Sequence, residues 1–162
     1  MRTLKYIIAA ILIIATVSPC LGNEEKCREI ARREYPNDPK MQNYVYNKQV
    51  SAARYMATVT DQDVKNIALR EYPEDFSMQK YVFDKQSSAK RYMASVTDSD
   101  VKSIALREYP NDYSMQKYVY DKQLSAKQYM TSMPNDSAKK QAIREYPYDY
   151  SMQKYIYDKL RR

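Results

Sequence analysis

Glycine is almost missing from this 162-residue chain: there is one, Gly22, and none after it. A chain without glycine has little access to positive φ. Tight hairpins and phosphate-cradling Gly loops are therefore not expected, and helices joined by Pro, Asn and Asp turns fit better. Histidine and tryptophan are absent, and there are two cysteines. Without His the chain lacks the commonest general base and the commonest metal ligand. No spaced run of acids resembles a calcium loop, so no metal and no cofactor is expected. Against these absences stand 18 tyrosines and a 29% charged content that gives ordinary globular balance.

Residues 1–22 read as a signal peptide. Arg2 and Lys5 supply the basic start, and Tyr6 to Val17 is nearly all apolar. That run is too short to span a bilayer comfortably, which takes roughly 20 residues. Cleavage is expected after Gly22, which makes the protein secreted or periplasmic. A lipoprotein-type cut before Cys20 is one rival, against which Pro19 argues, and an uncleaved anchor is another. Membrane association is expected only through such an uncleaved segment. Removing Arg2 and Lys5 takes the formal charge from +7 to +5. Cys27 is then the single remaining cysteine, and burial on the first helix is favoured over pairing between chains.

The remainder, 23–162, repeats. Arg-Glu-Tyr-Pro begins at Arg33, Arg70, Arg107 and Arg144, each 37 residues after the last. An Asp follows two residues after each Pro, at 38, 75, 112 and 149, and Met-Gln follows at 41–42, 78–79, 115–116 and 152–153. The copies run at about 24–60, 61–97, 98–134 and 135–162. In the second, Thr60 and Asp63 form a capping-box-like start, and Val64, Ile67 and Ala68 share a face. Pro73 ends that helix and Asp75 caps a second. The spacing predicts helices over 61–72 and 76–95. One such hairpin cannot bury its own apolar face, so the fold expected is all-α: four two-helix units stacked as a short α-solenoid or helical bundle.

The architecture resembles tetratricopeptide-like helical-hairpin repeats in period, although their motif residues are absent. The string Arg-Glu-Tyr-Pro-x-Asp-Tyr-Ser-Met-Gln-Lys-Tyr-x-Tyr-Asp-Lys-Gln also resembles a short helical segment of bacterial and phage-related proteins. That resemblance covers roughly 30–160 and implies no activity.

Two residue sets break the pattern. Lys48, Lys85, Lys122 and Lys159 fall within the apolar stripe of the long helix, and Glu34, Glu71, Glu108 and Glu145 within that of the short one. Buried charge needs a partner, and distance from the connecting turn suggests Lys48–Glu71, Lys85–Glu108 and Lys122–Glu145 pairs between units. The plainer alternative is that the Lys stems reach out to water. Tyr44, Tyr81, Tyr118 and Tyr155 are expected on the core side. Tyr46, Phe83, Tyr120 and Tyr157 point roughly 130° away on a helical wheel. Packing between units explains them simply; with Lys80, Lys117 and Lys154 they would instead form a candidate interaction surface.

An enzyme is not expected, because catalysis needs a unique asymmetric constellation and every acid and base here recurs in equivalent settings. No small-molecule substrate is expected either. An interaction or scaffold protein with a protein partner is the leading reading. A binder of anionic envelope polymer or nucleic acid is the second, weakened because the charges are interspersed rather than blocked. A self-assembling repeat protein is the third, from the shorter fourth copy.

Overall fold

The computed structural model describes residues 19–162. The signal-peptide reading of 1–22 falls mostly outside them, and the expected boundary after Gly22 lies in the first turn of the first described helix.

The described residues form an all-α structure. In chain order the helices are α1 (Pro19–Glu34), α2 (Pro39–Thr58), α3 (Gln62–Glu71), α4 (Phe76–Ser95), α5 (Ser99–Glu108), α6 (Tyr113–Ser132), α7 (Ser137–Glu145) and α8 (Tyr150–Leu160). The pair expected over 61–72 and 76–95 is present as α3 and α4.

Local chemistry sets these limits. The short helices stop at Glu71, Glu108 and Glu145 because the next residue is a Tyr before Pro, which is pushed out of the α region. Tyr72, Tyr109 and Tyr146 accordingly sit at φ −133, −134 and −131° with ψ 75, 70 and 67°. The long helices start behind an aspartate. Asp38, Asp75, Asp112 and Asp149 each accept the backbone N–H three residues on, at 3.0 Å, which satisfies one of the orphan donors of a helix start. The short helices use the same device: Asp61 caps Val64, Asp98 caps Val101 and Asp136 caps Lys139. Asp61 therefore takes the role expected of Thr60. Its carboxylate suits the positive end of the helix dipole better than a hydroxyl does. No residue described has positive φ, so the missing glycines are not needed.

The long helices α2, α4, α6 and α8 pack side by side in one row, and each short helix packs on the long helix that follows it. Beneath each short helix lies a small core. Met56 from the end of α2 meets Val64, Ile67 and Ala68 of α3 and Val82 and Phe83 of α4. The same set recurs as Met93, Val101, Ile104, Ala105, Val119 and Tyr120. Cys27 occupies in α1 the place that Val64 and Val101 hold in α3 and α5, and all three are fully buried. Burying side chains of this size contributes about 1.5–3 kcal/mol each.

Candidate interaction face

Adjacent long helices are joined by glutamines. Gln49 of α2 donates to the Asp75 carboxylate at 2.8 Å, and its carbonyl accepts the Ser77 N–H at 3.1 Å. Gln86 does the same to Asp112 and Ser114 at 2.9 and 3.0 Å. Gln123 repeats it on Asp149 and Ser151. These glutamines are buried, so each long helix recognises the N-terminus of the next through a satisfied contact. A second buried set, Gln79, Gln116 and Gln153, holds the turns by donating to Tyr72, Tyr109 and Tyr146 carbonyls at 2.7 Å.

The opposite end of each junction is aromatic. The Tyr55 hydroxyl donates to Asp84 at 2.8 Å, Tyr92 to Asp121 at 2.5 Å and Tyr129 to Asp158 at 2.5 Å. Each ring meets the next helix edge-on: Tyr55 on Phe83, Tyr92 on Tyr120 and Tyr129 on Tyr157, with centroids 6.1–6.3 Å apart. A lysine closes the arrangement. Lys80, Lys117 and Lys154 pair with Asp84, Asp121 and Asp158, and their ammonium groups lie 4.5, 4.2 and 4.4 Å from the rings of Tyr55, Tyr92 and Tyr129. The bond to Asp121, and then partial burial, pushes the Tyr92 hydroxyl up to about 12.

The expected interaction surface is thereby corrected. Phe83, Tyr120 and Tyr157 are buried between helices, and Tyr46 is half-buried under the guanidinium of Arg28. Lys80, Lys117 and Lys154 already have carboxylate partners. The wheel failed because an inner long helix, α4 or α6, is packed by a short helix and by long neighbours on both sides. Its buried arc also includes glutamines, which an apolar stripe leaves out.

The expected Lys–Glu pairs are corrected too. Lys48, Lys85, Lys122, Glu71, Glu108 and Glu145 are all exposed, and the described residues form no ion pair between them. The cross-helix pairs that recur from unit to unit use aspartate caps instead. Lys90 meets Asp61 at 2.8 Å and Lys127 meets Asp98 at 2.8 Å, each lying 5.2 Å from a ring of the next long helix, Tyr113 or Tyr150. Lys90 and Lys127 hold these carboxyls below their usual range, against the opposing effect of burial. An aspartate fixed at a helix start is a pre-placed acceptor; a glutamate in the last turn of a short helix faces water.

On their exposed arc, the long helices carry a different ladder. Tyr44, Tyr81, Tyr118 and Tyr155 are 61, 59, 59 and 58% exposed. Lys48, Lys85, Lys122 and Lys159 stand one turn further along on the same stripe, also exposed. None of these eight side chains has a hydrogen bond or ion-pair partner among the described residues. The acids that precede Lys85, Lys122 and Lys159 in the chain, Asp84, Asp121 and Asp158, are engaged with the junction lysines and tyrosines, and Asn47 precedes Lys48. The face therefore offers four aromatic rings and four uncompensated ammonium groups in register.

The fold and face define an all-α helical array with a regularly decorated open side. Among the described residues there is no cluster of metal-ligating side chains and no helix long and apolar enough to cross a membrane. No family model, curated protein or solved structure matches this chain.

Proposed function

We propose that this chain is an exported, non-enzymatic interaction protein. A signal peptide over 1–22 precedes four units at a 37-residue period, the last of them shorter, and the open face of their long helices binds an extended protein partner. One contrast carries this reading. Phe83, Tyr120, Tyr157 and Lys80, Lys117, Lys154 have structural partners in the second, third and fourth units, whereas the Tyr44/Lys48 ladder and its three counterparts have none. Exposed tyrosines cost solubility and contribute little to a fold, and rigid aromatic rings beside cations are the usual anchors of interfaces. A four-fold repeat of one chemistry suits a partner that is itself extended and regular. Catalysis would need an asymmetric constellation, which the ladder does not provide.

The test compares the wild-type chain with a variant carrying Tyr→Ser at 44, 81, 118 and 155. Both are immobilised and exposed to the secreted proteins of the native host, with and without nuclease treatment. Circular dichroism of the two should be the same. Proteins retained by the wild type and lost by the variant are the expected result. Equal retention by both refutes this face as the binding site, and retention abolished by nuclease shifts the assignment to nucleic acid.

A further inference from the structure

The ladder has a pitch, and the pitch selects a partner. Packed helices lie about 8–10 Å apart axis to axis, so one Tyr/Lys rung follows another at about that spacing along the row. A polyproline II peptide rises about 3.1 Å per residue with three residues per turn. Every third side chain then points the same way at intervals of about 9.3 Å. A β-strand presents same-face side chains about 6.6 Å apart and does not keep step with the rungs. Within a rung the ring and the ammonium are four residues apart, about 6 Å along the helix. The face therefore carries two parallel rails, Tyr44–Tyr81–Tyr118–Tyr155 and Lys48–Lys85–Lys122–Lys159.

Resting on the reading of this face as a binding site, we propose that its occupant is an acidic peptide in the polyproline II conformation with a carboxylate at every third residue. Charge complementarity gives the acid: four exposed lysines lack partners, and the aspartates beside three of them in the chain are already bonded within the junctions. The rings give the proline: flat, exposed tyrosine faces take proline rings, and a preformed polyproline helix loses little entropy on docking. Four rungs accommodate about 10–12 peptide residues at this pitch.

The experiment is a fluorescence-anisotropy titration of the full chain with labelled 12-residue peptides. One contains four Glu-Pro-Pro triplets; a second has the same composition with its four glutamates contiguous. Oligothymidylate and a heparin-type polysaccharide are run beside them. The expected result is at least tenfold tighter binding of the triplet peptide than of any other probe. A chain carrying Lys85→Glu and Lys122→Glu should lose at least tenfold, and so should one carrying Tyr81→Ala and Tyr118→Ala. Tyr81→Phe, which keeps the ring and guards against a folding artefact, should retain most of the affinity. Equal binding of the two peptides overturns the proposal, as does stronger binding of either polymer. No peptide binding, with host proteins still lost by the Tyr→Ser ladder variant, overturns the polyproline occupant and leaves the interaction face standing. Triplet-peptide binding indifferent to the ladder substitutions overturns both.

Discussion

Replacing Gln86 by Ala should cut the array near its middle. Gln86 is 4% exposed and makes two bonds across the α4–α6 junction, to the Asp112 carboxylate at 2.9 Å and from the Ser114 N–H at 3.0 Å. A bond to a carboxylate contributes about 1.5–3 kcal/mol and a neutral one about 0.5–1.5 kcal/mol. The first is discounted because Asp112 keeps the Met115 N–H. The void left by the side chain adds to the loss. The sum is about 2–4 kcal/mol, concentrated at one junction. Stability in a stacked array is a sum of unit and nearest-neighbour terms, so urea unfolding followed by far-UV circular dichroism should broaden or split. Ser88→Ala, on the exposed side of the same helix, is the control. Gln86→Glu should cost more at neutral pH, because two carboxylates then face one another. Part of that loss should return as the pH falls and one of them takes up a proton. A loss below about 0.5 kcal/mol for Gln86→Ala, or one equal to that of Ser88→Ala, would refute the idea that glutamines hold the long helices in register.

Asp61, Asp98 and Asp158 have their carboxyls held low chiefly by Lys90, Lys127 and Lys154; the stability this contributes is complete above about pH 4 and is lost as pH falls through the depressed folded values. Circular dichroism in acid should show that loss, and Lys90→Gln should make it shallower. In base the sign reverses: Tyr92, raised to about 12, contributes stability that is complete below about pH 10 and is lost between there and about 12. Tyrosinate absorbance should contain a late step that Tyr92→Phe removes, at a cost of about 1 kcal/mol for a half-open hydrogen bond. Cys27→Val should change stability by less than about 1 kcal/mol, since Val64 and Val101 fill the matching sites. Burial pushes the Cys27 thiol up, so a thiol reagent should modify it only as fast as the chain unfolds.

The helices and their limits were legible in the sequence because each is set by neighbours in the chain. Pro73 expels Tyr72 from the helix and Asp75 starts the next, and both effects act within three residues. Which face is buried was not legible, because that depends on how many partners a helix has. Tyr81 counted as apolar and Gln86 as polar, yet the ring is 59% exposed and the amide is 4% exposed. The signal was present in Met-Gln, which recurs in all four copies, and in the Lys-Gln seven residues later in the first three. Lys85 and Glu108 were matched by their distance from a turn, a criterion blind to the direction in which each side chain leaves its helix.

The glutamine junctions also bear on how such a chain can change length. Gln49 lies 26 residues before Asp75, and Gln86 lies 26 residues before Asp112. Excising 61–97 would bring Gln49 to that same distance from Asp112, with Tyr55 facing Tyr120, Lys117 and Asp121 as Tyr92 does now. Duplicating the segment would add a rung by the same rule. Recombination between the near-identical copies therefore edits the molecule in whole units, each carrying its own connector, and lengthens or shortens the open face without disturbing a core.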